Sequence, residues 1–223
     1  MFKVESTYMP HNIHSAKADR ISHATSENTA AQKNGEINIM TNSENTTYCA
    51  TVGVFDGVHC GHQQVIRRVI AIAEAAGMKS MVITFDRNPL EVICPERAPK
   101  PIMTLTERIS RLQAMGVDRV EVLPFDNDFM QTTAFDFMHE TLYMRLNVRC
   151  MVTGYDNRFG KRNPDENFET YVSYGKRIGI DVVLGPQPEE CGLFEGRAVS
   201  SSLIRHLIDS GRKEEADTLM MLK

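Results

Sequence analysis

Several features that define other protein classes are missing from this chain of 223 residues. No apolar run approaches the length of a bilayer-spanning helix, and the first residues lack the basic-then-apolar pattern of a signal peptide. The five cysteines are odd in number and contain no CxxC pair, which argues against a disulfide framework or zinc knuckle. The net charge of −4 gives no attraction to polyanions. We therefore expect a cytoplasmic protein that binds neither nucleic acid nor membrane.

The composition that is present is that of an ordinary globular protein, with 42% hydrophobic and 24% charged residues. The length suits one well-buried domain. Residues 1–47 differ from the rest, because polar residues dominate there and apolar periodicity is absent. Such a stretch cannot bury enough surface to offset its ordering entropy. We predict a disordered extension over residues 1–47 and a single folded domain over residues 48–223.

From residue 48 onward, short apolar runs alternate with helical patterns. The predicted strands are 48–55, 80–85, 119–124, 150–153 and 180–184, and the predicted helices are 62–76, 106–115, 133–146, 168–178, 201–208 and 213–221. Apolar strands that alternate with helices indicate right-handed crossovers and a parallel sheet covered on both faces. The fold class is therefore α/β, with a doubly wound parallel sheet.

The stretch GVFDGVHCGH, residues 53–62, lies where the first strand turns into the first helix. Ligands of open parallel sheets bind at this edge, and glycines allow the backbone to approach phosphate oxygens beside a helix N-terminus. His59 and His62 could donate to a phosphate as charge develops on it. In the alternative interpretation, one histidine caps the helix and the other packs in the core. The candidate nucleotide contacts in this stretch are Gly53, Phe55, Asp56, Gly57 and Gly61.

A second motif, SSSLIR, occupies residues 200–205. The hydroxyls of Ser200, Ser201 and Ser202 at a helix start can cap its amides and also donate to phosphate oxygens. Arg205, which we place in the first helical turn, could clamp two oxygens of a polyphosphate. The alternative is an ordinary serine cap followed by a solvated arginine.

A third motif, GYDNRFGKR, follows the fourth predicted strand at residues 154–162. Its basic cluster, Arg158, Lys161 and Arg162, stands out in an acidic protein and favours an anionic second substrate. A solvated charged loop is the alternative interpretation.

These motifs carry a resemblance to a known family. GVFDGVHCGH resembles the HxGH signature of the nucleotidylyltransferase superfamily, and the chain is similar to the adenylyltransferase module of prokaryotic bifunctional riboflavin kinase/FAD synthetases. The resemblance covers about residue 48 to the end of the chain. The other matching motifs are TFD at 84–86, GVD at 116–118, PFD at 124–126, GYDNRFGKR at 154–162 and SSSLIR at 200–205.

The resemblance implies a Rossmann-like fold and an FMN adenylyltransferase, which forms FAD and pyrophosphate from FMN and ATP with Mg²⁺. It implies that the serines of SSSLIR hold the β- and γ-phosphates. The catalytic residues would be His59, His62 and Arg205. The expected acceptor-binding residues are Asn88, Pro89, Asp156, Asn157, Arg158 and Phe159.

The sequence departs from the family on the acceptor side. Relatives usually have Pro-His-Pro where this chain has Arg87, Asn88 and Pro89, and Phe or His where it has Asn157. The riboflavin kinase barrel would need on the order of a hundred further residues, so we expect a separate riboflavin kinase to supply FMN. Three alternatives stay open: another phosphorylated acceptor, such as a pantetheine or nicotinamide nucleotide; a catalytically silent flavin- or nucleotide-binding paralog; and a purely structural role.

Overall fold

The computed structural model describes residues 46–154, 159–161, 163–187 and 193–221. The predicted extension therefore lies outside the described residues, apart from Thr46 and Thr47, and so do Asp156, Asn157 and Arg158. In chain order the elements are β1 Tyr48–Val52, α1 Cys60–Ala76, β2 Lys79–Phe85, α2 Leu90–Ile93, a 3₁₀ turn Pro95–Arg97, α3 Leu105–Ala114, β3 Arg119–Leu123, α4 Asn127–Gln131, α5 Ala134–Asp136 with a π-helical continuation Phe137–Arg145, β4 Val148–Thr153, α6 Phe168–Ile178, β5 Asp181–Leu184, β6 Leu193–Phe194, β7 Arg197–Ala198, α7 Ser201–Asp209 and α8 Lys213–Met220.

Five parallel strands form the central sheet in the order β3-β2-β1-β4-β5. The chain moves outward from β1 through β2 to β3 and then returns, through α4 and α5, to place β4 on the other side of β1. The strand order thus reverses between β1 and β4, and ligands of open α/β sheets bind at such a switch point. The predicted α/β, doubly wound Rossmann-like fold is confirmed.

Both faces of the sheet are buried at its three central strands, β1, β2 and β4, which explains why these strands are mostly apolar runs. Successive side chains of β1 point to opposite faces: Cys49 packs with Val69 and Ala73 of α1, whereas Ala50 packs with the core around the π-helical segment. Burial of a large apolar side chain stabilises the fold by about 1.5–3 kcal/mol. These two layers fix β1 between them and therefore fix the loop that leaves its carboxyl end.

Most predicted helix boundaries are confirmed to within two residues. Gly77 ends α1 in the left-handed conformation with a φ of 67°, and the Thr133 side chain caps α5 by accepting from the Asp136 amide. Beyond α5 the helix widens to π geometry, and the Leu146 amide donates to the Thr141 carbonyl. Apolar spacing alone does not distinguish this wider helix from an α-helix.

One boundary prediction is wrong, at the end of the first strand. β1 ends at Val52 rather than at residue 55, because Phe55 adopts a φ of 53° that no strand accommodates. α1 begins at Cys60 rather than at residue 62. The motif is therefore mostly a turn, with only its last three residues in the helix.

The last described part of the chain forms a smaller core of its own. Helices α7 and α8 pack together through Leu203, Ile204, Leu207, Ala216 and Met220, with Ile102 against them. The preceding hairpin of β6 and β7, like α2 and α4, is too short to leave a periodic signal in the sequence. Among the described residues, no helix combines the length and apolarity needed to span a bilayer.

Gly175 offers a test of how α6 packs on the sheet. A Cβ at this position would collide with the Ile180 carbonyl and lie 2.8 Å from Val182 Cγ2. In an open helix, replacing Gly by Ala stabilises by about 1 kcal/mol, but here we expect Gly175→Ala to lower the free energy of unfolding by about 1–3 kcal/mol. Urea denaturation measures this, with the exposed Ser173→Ala as control. A stabilised Gly175→Ala variant would contradict the packing.

Candidate functional site

The turn after β1 is held in an uncommon backbone conformation. Phe55, Gly57 and Val58 all have positive φ angles, of 53°, 87° and 42°. Glycine adopts such angles at little cost, but a β-branched residue such as Val58 is strained there. The Val58 amide closes the turn by donating to the Phe55 carbonyl at 3.1 Å. Local strain of this kind persists where the surroundings hold it and is common at functional sites.

The Asp56 carboxylate, which is buried, organises the surroundings of this turn. It accepts hydrogen bonds from the amide of Ile102 at 3.1 Å and from the amide of Met103 at 3.4 Å. Arg205 Nη2 donates to the same carboxylate at 2.5 Å. We expected Asp56 to contact the nucleotide directly. In the structure its carboxylate oxygens accept hydrogen bonds from within the protein instead.

The SSSLIR segment joins the turn through side chains of α7. The Ser201 hydroxyl donates to the Asp56 carbonyl at 2.8 Å, and the Ser200 hydroxyl caps α7 by accepting from the Leu203 amide. Arg205 follows the first helical turn rather than lying within it, and its Nε donates to the Lys100 carbonyl at 2.8 Å. The two predicted phosphate motifs are therefore one connected structure.

His59 and His62 stack on each other with ring centroids 3.7 Å apart, and the Phe55 ring contacts His62 edge-on at 5.2 Å. His59 is the buried member of the pair, whereas His62 is half-buried. A Cβ on Gly61 would lie 3.2 Å from atoms of the His59 ring, so this position suits glycine. His59 occupies the N-cap position of α1 but makes no capping hydrogen bond with its side chain, which argues against the capping alternative.

Both imidazoles are electrically neutral in this environment near neutral pH. Burial lowers the pKa of His59 from 6.5 to about 4, with nearby Asp56 opposing the shift and Arg205 reinforcing it. Burial, and then the neighbouring His59, lower the pKa of His62 well below 6.5. The Nδ1 atoms of both rings are buried and have no hydrogen-bond partner among the described residues. Each ring can therefore offer or accept one more hydrogen bond.

A cavity of about 300 Å³ opens beside the turn. The predicted catalytic and nucleotide-contacting residues that line it are Gly53, Phe55, Asp56, His62, Ser201, Ser202 and Arg205, together with the expected acceptor contact Asn88. His59, Gly57, Gly61 and Ser200 do not line this cavity. The structure thus brings His62 and Arg205 to one shared cavity, with His59 stacked behind His62.

A second cavity, of about 440 Å³, adjoins the first and shares Val54, Asp56, Asn88 and Pro99 with it. Its wall includes Arg108, a buried residue that donates to the Val54 carbonyl in the turn after β1 and to the Phe85 carbonyl at the end of β2. Both cavities lie at the carboxyl edge of the parallel sheet, where ligands of open α/β sheets bind.

The family model described as FAD synthetase matches residues 41–203. The chain belongs to the FAD synthetase family. The bifunctional riboflavin kinase/FMN adenylyltransferase of Haemophilus influenzae is 31% identical over 173 residues, which are 77% of this chain and 54% of that protein. The Bacillus subtilis protein of the same name is 30% identical over 176 residues, 76% of this chain and 52% of its own length. The chain spans about half the length of the curated relatives it matches.

A solved structure is similar to this chain at the level of the fold. A macrolide-efflux protein from Streptococcus pneumoniae is similar with a TM-score of 0.66 and 26% identity, over 79% of this chain and 57% of that chain. Membership of the FAD synthetase family confirms the resemblance inferred from the ordered motifs.

The structure describes three of the six residues that the FAD synthetase resemblance assigns to the acceptor. Asn88 lines both cavities, and Pro89 stands directly before α2. Phe159 packs instead among core aromatics, stacked on Tyr171 at 4.3 Å. The remaining three assigned residues, Asp156, Asn157 and Arg158, lie outside the described ranges.

Sequence reasoning missed the loop that connects the 3₁₀ turn to α3. Pro99 lines both cavities, Pro101 lines the larger one, and the Ile102 amide binds Asp56. The signal that could have revealed this loop is its density of prolines in PERAPKP, residues 95–101, which indicates a rigid connection.

The histidine pair predicts a pH dependence of stability. Between pH 6.5 and pH 4 the unfolded chain binds protons that the folded site does not, so the free energy of unfolding falls as the pH is lowered. The loss is about 3 kcal/mol for His59, from a pKa of 6.5 to about 4. Urea denaturation at several pH values measures it. His59→Gln should flatten the dependence, the exposed His206→Gln should not, and equal slopes in all three proteins would contradict the burial.

We expect a conservative substitution of Asp56 to lower the stability of the protein strongly. Asp56→Asn keeps the size of the side chain but leaves Arg205 without its anionic partner, so we expect the free energy of unfolding to fall by about 2–4 kcal/mol. The exposed Lys213–Asp217 pair provides the control, because Asp217→Asn should change stability by less than about 1 kcal/mol. Equal small effects in urea denaturation would show that Asp56 does not organise the site.

Proposed function

We propose that this protein is an FMN adenylyltransferase, which transfers the AMP unit of ATP to FMN and releases pyrophosphate. The observation that carries the proposal is the convergence of His62, Arg205 and Ser201 on one cavity at the switch point of the sheet. Membership of the FAD synthetase family and relatives named FMN adenylyltransferase support it.

The 300 Å³ cavity is the proposed site of the ATP phosphates. α1 and α7 both begin beside it, and helix N-termini attract anions through their unpaired amides and dipole. Side chains cap α3, α4, α5, α6 and α7, whereas α1 has no side-chain cap, as is also true of the shorter α2 and α8. The first amides of α1 are thus left for a ligand, and a phosphate is the ligand that suits them.

The proposed reaction is an in-line attack of the FMN phosphate on the α-phosphorus of ATP. Two anions must approach each other, so most of the catalysis is positioning and stabilisation of charge in a site shielded from water. Neutral His62 can donate an N–H to an α-phosphate oxygen. Arg205, held in place by Asp56 and the Lys100 carbonyl, is positioned to stabilise the departing pyrophosphate.

ATP reacts together with a bound divalent metal ion, and we propose that this ion is Mg²⁺. The described part of the chain contains no group of three metal-binding side chains, and the Asp56 oxygens are already occupied. This fits Mg²⁺, which proteins commonly hold through substrate phosphates and water rather than in a cage of side chains. When bound, the metal neutralises phosphate charge. His62, Arg205 and the α1 amides then orient the triphosphate.

FMN is the proposed acceptor, and the 440 Å³ cavity is its proposed site. Asn88 and Pro89 would contact it beside α2, and Asp156, Asn157, Arg158 and Phe159 would complete the site. The choice of FMN implies a riboflavin kinase activity as its source. We place the reaction in the cytoplasm, where Cys49, Cys60, Cys94 and Cys150, all free in the structure, would stay reduced.

Purified protein incubated with Mg-ATP and FMN should form FAD and pyrophosphate in equal amounts, as measured by chromatography and a coupled pyrophosphate assay. His62→Ala should lower kcat about 10²-fold, by analogy with loss of one charge-stabilising donor. The exposed His206→Ala is the control and should leave kcat unchanged.

Other outcomes separate the competing functions. Binding of FMN and ATP without pyrophosphate release would establish a silent paralog. Pyrophosphate release that requires a pantetheine or nicotinamide nucleotide in place of FMN would establish a different acceptor. Wild-type kcat in His62→Ala would refute the assigned role of the histidine.

A further inference from the structure

Gln63, in α1 directly after His62, has a buried side chain of which 1% is exposed. Its Nε2 donates to the Val58 carbonyl and to the Met221 carbonyl, each at 2.9 Å. Its Oε1 accepts from Arg67 Nη2 at 3.2 Å. Both amide hydrogens and the oxygen are therefore used, and a fully bonded buried amide of this kind fixes its partners in one arrangement.

The two carbonyls that Gln63 binds belong to separate parts of the fold. Val58 is the strained residue of the turn, with a φ of 42°, and Met221 directly follows α8. Arg111 of α3 holds the same end of α8 by donating to the Met220 carbonyl at 2.8 Å. The last carbonyls of a helix lack partners within it, so these two side chains supply partners that attach α8 to α1 and α3.

α8 also contacts the turn directly. The sulfur of Met220 lies 3.3 Å from the position that a Cβ on Gly57 would occupy, so the end of this helix packs on the turn itself. A residue such as Val58 keeps a strained φ only where its surroundings leave it no alternative. Gln63 and α8 provide such surroundings from the side of the turn that faces away from the cavities.

We infer that Gln63 is a positioning residue for the phosphate site, acting through Val58 to hold the turn, and that α8 braces the turn through it. Gln63 does not line either described cavity, so it acts on the reaction through the turn and the start of α1. The inference rests on the proposed adenylyl transfer. If the turn shifts, the α1 amides and His62 lose their alignment with the charge that develops during the reaction.

The test compares Gln63→Ala with Gln63→Glu, whose side chain has nearly the same shape but can donate to only one of the two carbonyls when protonated and to neither when ionised. We expect kcat for FAD formation to fall about tenfold or more in both, with KM for ATP within about threefold of wild type, because alignment matters most in the transition state. Arg68→Ala, on the exposed face of α1, is the matched control and should leave both constants unchanged.

Hydrogen exchange provides a readout that needs no activity. In both Gln63 variants the hydrogen-bonded amides of Val58 and Gln63 and those of residues 216–221 should lose protection together, and in Arg68→Ala they should not. If either Gln63 variant does not fold, Arg111→Ala, which removes the other attachment of α8, should lower kcat in the same direction.

Wild-type kcat in the folded Gln63 variants, or protection lost in α8 alone, would overturn the inference. A rise in KM for ATP with kcat intact would overturn it as well, because it would show simple substrate binding. These outcomes differ from failure of the proposed function, in which the wild-type protein itself forms no FAD. In that case the exchange experiment still decides whether Gln63 couples α8 to the turn.

Discussion

The site depends on one buried carboxylate, that of Asp56, which connects three segments far apart in the chain. It binds the turn after β1 to the loop before α3 through the Ile102 amide, and to α7 through Arg205, 149 residues away. A buried charge is costly unless it is paired and fully hydrogen-bonded. Because no single segment can satisfy Asp56, the folded arrangement of all three is required, and the cavity at their junction is a consequence of that requirement.

The electrostatics of the site follow from the same burial. One ion pair, Asp56–Arg205, stands beside two stacked imidazoles whose pKa values burial holds low, so neither ring adds a positive charge near neutral pH. Binding of a triphosphate would add negative charge and favour protonation of the rings, because an opposite charge nearby stabilises the charged form. A site that is neutral when empty keeps the histidines from repelling Arg205 and allows them to respond to the ligand.

The sequence specified the sheet and the main helices, because these follow from local patterns, whereas the joining of residues 53–62 to residues 200–205 is expected only from the family resemblance. A strand buried on both faces is an apolar run. A glycine that follows a helical pattern, as Gly77 follows α1, indicates the end of the helix. The conformation of Phe55 and Val58 could not be predicted, since no local preference favours a positive φ at either residue. The bonds of Asp56 and the stacking of His59 behind His62 could not be predicted either, since both depend on tertiary contacts.

The cavity of about 440 Å³, which we propose as the acceptor site, is not filled by Arg87. Arg87 pairs with Asp86 at 3.0 Å, and Asp86 accepts from the Phe125 amide at 2.9 Å, so the substituted loop is anchored to the strand ends. The guanidinium forms part of the wall of the 440 Å³ cavity and does not close it. A silent paralog would most simply arise by blocking this space. Arg87 instead places a positive charge on the wall, which would bear on the selectivity of the proposed site more than on its capacity to bind a ligand.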